Sequence, residues 1–468
     1  MIPDDSIEGS PRGGPDGGIA DLRPLRAAME RDQKSWYWYD WANSAYVTTI
    51  GTVMVGPYFI ALAESAAEDA GSDLVPVLGM HLEPGSIYFW LITISTILGA
   101  FILPPLGAIA DRTANKKRLL GIFAWIGAAF ASLIFFSTGS NWVLCAIAII
   151  GANFFLAASM VVNDSILPLI STEDERDRVS SRGWAWGYLG GGLLLLANLI
   201  VFTMHDTFGL TEGQAARWSM LSAAVWWAAF TLIPVLRLRN HKPLDVVPAG
   251  SGGVVRQSFA QLYDTLRELR NYPMAVTFLL AYLFFNDGIQ TVIGASAVYG
   301  KEELGHSQTI LIATILMVQF VAFGGALLFG RLAQRHGAKN TILAGLVIWS
   351  VIVTVALFLP AGNVPMFLAL GAAIGVVLGG TQALARSYFS LLIPCGKEAE
   401  YFSFYHAMDR GTSWFGTATM AIMLQMTGSY RPAIFALIVF FVLGGLLLWR
   451  VDTARGIRDA GNTVPAVV

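Results

Sequence analysis

Residues 107–116 read GAIADRTANK, and residues 330–339 read GRLAQRHGAK. Gly107 and Gly330, Ala110 and Ala333, Arg112 and Arg335, and Lys116 and Lys339 stand in register, 223 positions apart. Each copy ends one long apolar run and opens another. A second pair follows: residues 165–171 read SILPLIS and residues 390–396 read SLLIPCG, with Pro168 and Pro394 226 positions apart, as are Gly190 and Gly416. A membrane chain that repeats itself at about half its length is most simply two similar helical bundles, an arrangement suited to a carrier.

Composition supports the membrane reading. The chain has 468 residues, 55% hydrophobic and only 13% charged. Soluble domains carry about a quarter charged residues, so much of this surface must face hydrocarbon. The net charge of -2 gives no field suited to nucleic acid. Two cysteines, Cys145 and Cys395, make no disulfide framework. The first residues, rich in Gly, Pro and charge, lack the apolar core of a signal peptide.

A spanning helix needs about 20 mostly apolar residues. Twelve stretches qualify: 36–63, 86–110, 119–138, 141–168, 183–204, 216–236, 273–299, 308–330, 340–360, 364–393, 401–427 and 430–450. The reading is an all-α polytopic membrane protein, twelve transmembrane helices in two pseudo-symmetric six-helix bundles. Its parts are a disordered or interfacial tail (1–34), an N-terminal bundle (35–236), a linker (237–272), a C-terminal bundle (273–450) and a second tail (451–468). Within the linker, Phe259, Leu262, Tyr263, Leu266 and Leu269 recur at helical spacing, which predicts an amphipathic helix on the membrane surface.

With both termini inside, 25 of the 30 Lys and Arg fall on inner segments, three (Arg217, Lys301, Arg431) on outer ones, and Arg386 and Arg410 within spans. That asymmetry predicts cytoplasmic termini. The short loops suggest a bacterial cytoplasmic membrane. The aromatic run Trp36, Tyr37, Trp38, Tyr39 and Trp41 is read as an interfacial belt, with a gate lining as the alternative.

The segments YDWANSAY (39–46), NDSILPLI (163–170) and RGWAWGYLGGG (182–192) carry a family resemblance. So does the run through Gly380, Gln382, Arg386, Pro394, Glu400 and Phe402, and so does the loop Gly107, Asp111, Arg112, Lys116–Arg118. The chain resembles the major facilitator superfamily. More narrowly it resembles the vacuole-effluxer-like branch related to autophagy-associated amino-acid effluxers. The resemblance implies a secondary transporter with spans one, four, seven and ten around a central cavity. It also implies that Asp111 and Arg112 latch one conformation. Physically, Asp111 ends a helix where its carboxylate can face a neighbouring helix N-terminus. The second copy of the loop has Gln334 at that position.

Ionisable groups at depth cost several kcal/mol unless they meet a cavity or a partner. Asp287 lies about 20 Å along span seven, with Asn286 beside it and Gln290, Thr291 and Gly294 following. It is read as a proton or cation site, against a structural hydrogen-bonded Asp. Asp40 and Asn43 mark a polar stripe on span one, with Tyr46 beyond. Asp40 is read as a gating or capping residue, and Asn43 and Tyr46 as better placed for solute. Arg386 and Asp409 lie about 12 Å from the inner end. Arg386 either pairs with Asp409 or Asp164, or offers its fork to a substrate carboxylate, a part Arg410 could equally play. His406 is read as packing rather than relay.

The lining candidates carried over from the resemblance, with Asn286 added as the flank of Asp287, are Asn43, Tyr46, Asn153, Asn286, Gln290, Gln382 and Arg386. Asp287 is the proton-coupling candidate, and Asp40, Asp111, Arg112, Asp164, Asp409 and Arg410 are gating candidates. Both signs of charge with amides and aromatics suit a small polar or zwitterionic solute, with an amino acid as first choice. An exporter of amphipathic drugs or lipids is the alternative, and a non-transporting receptor or scaffold the alternative of another class. No Walker loop, HExxH, CxxC or nucleophile elbow occurs, so neither an enzyme nor a cofactor or metal is expected. The expected partners are a small-molecule substrate, the lipid bilayer and protons as coupling ion. The chain is expected to act as a monomer.

Overall fold

The computed structural model describes residues 23–77, 79–113, 115–240, 267–411 and 414–468. Among these, eleven helices are long and apolar enough to cross a membrane. Span one is the longest. It runs as Arg23–Ala45, a π-helical stretch Tyr46–Met54, and Val55–Asp69. Spans two to six are Pro84–Asp111, Lys116–Leu133 with a short 3-10 turn after it, Trp142–Ile170, Arg176–Thr203 and Glu212–Arg237. The second half repeats the pattern with Pro273–Val298, Gln308–His336, Ala338–Leu357 and Val364–Leu391 as spans seven to ten. Span eleven is two helices, Glu398–Gly411 and Trp414–Thr427, and span twelve is Tyr430–Ala436 followed by Ile438–Arg450. A two-stranded hairpin, Val75–Val77 with Met80–Leu82, sits between spans one and two.

The tail predicted at 1–34 is, from Arg23 on, the first part of span one. Residues 1–22 of that tail, and the linker helix positions Phe259, Leu262, Tyr263 and Leu266, lie outside the described residues. Leu269 begins a single 3-10 turn, Leu269–Asn271.

Local chemistry sets the helix starts. Asn115, Asn141 and Asn363 each accept a backbone N–H from the first turn of spans three, four and ten, which satisfies donors the helix leaves orphaned. Thr211 and Gln214 form a reciprocal capping box at span six. Gly337, at φ 82°, turns the chain from span eight directly into span nine, a backbone conformation that side chains with a Cβ resist.

Two buried clusters form, one in each half. The first runs from Trp36 to Leu238 with Ala399 reaching in; the second spans Ala275 to Ile457. Close approach within each half uses glycine. A Cβ on Gly190 of span five would meet the Trp41 carbonyl of span one at 2.9 Å, and one on Gly416 of span eleven would meet Thr291 Cβ of span seven at 2.9 Å. These residues, 226 positions apart, thus occupy matching places in the two bundles. Between halves the repeat holds again. Gly107 of span two lies against Glu400 Cα of span eleven, and Gly330 of span eight against Ser181 Cβ of span five, at 2.9 and 2.6 Å for an added Cβ. Small residues let helices pack where hydrocarbon supplies no hydrophobic drive.

Candidate functional site

A cavity of about 360 Å³ lies between the two halves. Asn43 and Thr48 of span one, Trp184 and Tyr188 of span five, Gln290 of span seven, Gln319 of span eight and Gln382 of span ten give it polar atoms. Ile293, Leu311, Ile315, Val318, Phe367 and Ile374 give it apolar walls, and none of its described lining residues is charged. The cavity extends from mid-depth toward the face opposite the chain termini, where Thr52, Tyr299 and Phe367 line it. Span one presents Val47, Thr48 and Thr52 to it from its π-helical turn. Such wide turns expose backbone groups and recur at functional sites; nothing in the periodicity of span one announced it. Gln319 Nε2 donates to Thr48 Oγ1 across the cavity at 3.4 Å.

Toward the terminal face the halves are closed by a buried knot. Arg386, 1% exposed, donates from Nη1 to Asp164 Oδ1 (3.1 Å) and Asp40 Oδ1 (3.3 Å), from Nη2 to Asp40 Oδ2 (3.0 Å) and the Ser180 carbonyl (3.0 Å), and from Nε to Ser180 Oγ (3.0 Å). All five guanidinium donors are engaged. The indoles of Trp36 and Trp184 lie 4.6 and 5.5 Å from the guanidinium carbon, adding cation–π attraction in a dry place. Asn163 Nδ2 donates to Asp40 Oδ1 (3.3 Å), and Trp36 Nε1 to the Asn163 carbonyl (2.8 Å). The other oxygen of Asp164 meets His406 Nε2 at 2.9 Å. The knot therefore ties spans one, four and five of the first half to spans ten and eleven of the second.

A second closure lies nearer the terminal surface. Asp111 accepts the backbone N–H of Ala399 (2.9 Å) and of Glu400 (2.8 Å), and the Lys116 ammonium stands 2.9 Å from it. The carboxylate of one half thus caps the first turn of span eleven in the other.

Residues 28–176 and 170–461 match the family described as vacuole effluxer Atg22 like. The chain belongs to that family. It is 29% identical over 439 residues to the uncharacterised MFS-type transporter YxiO of Bacillus subtilis, covering 93% of this chain and 98% of that one. It is 26% identical over 480 residues to autophagy-related protein 22-2 of Emericella nidulans, covering 83% and 80%. Its fold is that of FucP, a major facilitator superfamily transporter solved in the outward conformation (TM-score 0.63, 14% identity, 90% and 97% covered). It is likewise that of a bacterial homologue of the iron transporter ferroportin in its outward-facing state (TM-score 0.63, 14% identity, 91% and 99%). The chain is a twelve-span integral membrane transporter of the major facilitator type, and not an enzyme.

In this Atg22-like chain the residues singled out from the sequence separate into distinct groups. Asn43, Gln290 and Gln382 line the cavity. Arg386, Asp40 and Asp164 form the knot, so of the readings open for Arg386 the pair with Asp164 is the one present, and no guanidinium donor is left for a solute in this conformation. Asp409 is taken instead by span seven, with Asn286 Nδ2 donating at 2.5 Å and Tyr282 Oη at 3.3 Å. Gln382 Nε2 donates in turn to Asn286 Oδ1 at 2.7 Å. Tyr46 and Asn153 bond each other inside the first bundle, 3.1 Å apart, away from the cavity. Asp287, 1% exposed, faces span eleven: Oδ2 accepts the Gly416 N–H at 2.7 Å and Oδ1 has no partner among the described residues. Arg112 is exposed at the end of span two, and the side chain of Arg410 lies outside the described residues. His406, read as packing, is a member of the knot. The missed signal was its place three residues before Asp409 and four after Phe402, the helical spacing that puts all three on one inward face.

Proposed function

We propose that this transporter carries a small zwitterionic solute, an amino acid with an apolar side chain in the first place, by alternating access across a cytoplasmic membrane. The observation that supports this is the coupling of cavity floor to closure. Asn43 lies one turn from Asp40 on span one, and Gln382 one turn from Arg386 on span ten. Trp184 lines the cavity and also covers the Arg386 guanidinium. A solute held by the two amides would bear directly on the groups that keep the terminal face shut. The uncharged polar lining suits a solute whose own charges balance, and the apolar walls suit its side chain. The concentration of Lys and Arg on the terminal segments supports a cytoplasmic terminal face.

Asp287 is our candidate for the coupling proton. A buried carboxyl with one oxygen unpartnered among the described residues is far less costly neutral than ionised. The apolar walls also favour a second reading, export of amphipathic compounds. Uptake of radiolabelled leucine, glutamate and a lipophilic cation into liposomes holding the purified chain separates the two. Leucine flux that Gln382→Ala lowers supports the first reading; flux of the cation alone overturns it. Asp287→Asn should abolish accumulation driven by a pH gradient while leaving exchange, and unchanged accumulation removes Asp287 from coupling.

A further inference from the structure

The knot does not balance its charge. Arg386 brings one positive charge, and Asp40 and Asp164 bring two negative ones, in a place where every member is at most 6% exposed. A net buried charge without a counterion is costly. Among the described residues, the one further titratable group in contact is His406, whose Nε2 lies on Asp164 Oδ2. Among the described residues, the nearest carboxylates on the elements packed around the imidazole are committed elsewhere, and the side chain of Arg410, one turn along the same helix, lies outside them. Asp409, on its own helix, is held by Asn286 and Tyr282 of span seven, and Asp111 of span two is held by Lys116 and the start of span eleven. Tyr405 stands edge-on to the ring at 5.5 Å.

We propose that the Asp40–Asp164–Arg386–His406 knot is a proton-binding site that exists only while the terminal face is closed, its proton shared between His406 and Asp164. The inference rests on alternating access but is independent of the solute and of Asp287. Opening the terminal face separates Arg386 and His406 from Asp40 and Asp164, since the pairs lie on different halves. Water then solvates each group, and neither carboxylate nor imidazole needs the extra proton. The closed form binds one proton more than the open form. Closure is therefore favoured at low pH and is lost as pH rises through the titration of the knot, by up to about tenfold in the closed-to-open ratio per pH unit.

The test uses the full chain in lipid nanodiscs, with Cys145→Ala and Cys395→Ser, and spin labels at Thr172→Cys and Asn340→Cys, exposed positions on the terminal side of opposite halves. Distances are measured by electron double resonance from pH 5 to 9, with and without a transported solute. The expected result is a short distance at pH 5 giving way to a longer one at high pH. Asp164→Asn removes the excess charge and should keep the short distance across the whole range. His406→Gln should move the transition to lower pH, in the wild-type chain and in an Asp287→Asn background alike. A distance that responds to solute but not to pH, or a pH response that survives both Asp164→Asn and His406→Gln, overturns the proton site and leaves alternating access standing. A distance that answers neither pH nor any solute overturns both.

Discussion

Asp111 of the first half and Glu400 of the second are joined by a hydrogen bond of 2.8 Å from the Glu400 backbone N–H to the Asp111 carboxylate. The same carboxylate takes the Ala399 N–H, so one side chain caps a helix of the other bundle. Asp111→Ala removes both acceptors and leaves Lys116 with Ser165 Oγ at 3.3 Å and Glu398 at 3.9 Å. Loss of a helix cap costs about 0.5–2 kcal/mol, here paid only in the closed form. The expected outcome is a lower melting temperature in detergent and a shift toward the open terminal face, read by cysteine accessibility at that face. Asp111→Asn, which keeps one acceptor oxygen, should fall between. An unshifted accessibility would show that the cap does not hold the halves together.

Arg386 supports the opposite kind of test, because its partners are buried with it. Arg386→Ala would strand two carboxylates and is expected to cost about 3–5 kcal/mol. Arg386→Lys keeps the charge but cannot reproduce five donors in a plane, so it should recover only part of the loss. Thermal unfolding followed by tryptophan fluorescence, with Trp36 and Trp184 beside the guanidinium, reports both. Equal stability of the Ala and Lys variants would contradict the bidentate geometry.

Much of the architecture was legible because hydrocarbon permits few solutions. Apolar length gave the spans, and the repeat gave their pairing. Gly107 and Gly330 do mark matching crossings between halves, and Gly190 and Gly416 matching close approaches within them. Side-chain partnerships were less legible, because they depend on which face of each helix turns inward. Asp40 and Arg386 are 346 residues apart, and nothing local to either points to the other. Asp409 sits at the depth that made it a candidate partner for Arg386, yet the amide of Asn286 claims it first.

The glycine pair offers a test of the duplication itself. Gly190→Ala would press a methyl against the backbone oxygen of Trp41, and Gly416→Ala against Thr291. Overpacking of this kind costs about 1–3 kcal/mol. Both variants should lower the melting temperature by similar amounts. Gly99→Ala, whose added methyl meets only Leu103 Cδ1 at 3.8 Å, should leave it unchanged or raise it slightly, since Ala favours helix over Gly by about 1 kcal/mol. A harmless Gly416→Ala beside a damaging Gly190→Ala would mean the two bundles pack by different rules.

The chain after span twelve ties the terminal face from the other side. Asn462 Nδ2 donates to the carbonyls of Leu391 and Ile393, at 2.9 and 2.8 Å, where span ten ends and its last peptide groups lack helical partners. Four residues on, the Ala466 N–H reaches Asp174 of the first half at 2.8 Å. The tail therefore runs from one bundle to the other over the closed end. Asn462→Ala strands two carbonyls and frees the segment that follows. We expect faster proteolysis after residue 460 and a modest shift toward the open face, about two- to fivefold in population, the worth of about one ordinary hydrogen bond. Asp174→Ala should reproduce the population shift, since it cuts the strap at its far anchor while leaving the Asn462 contacts made. A faster cut in Asn462→Ala with no change in opening would show that the tail covers the closed end without helping to hold it.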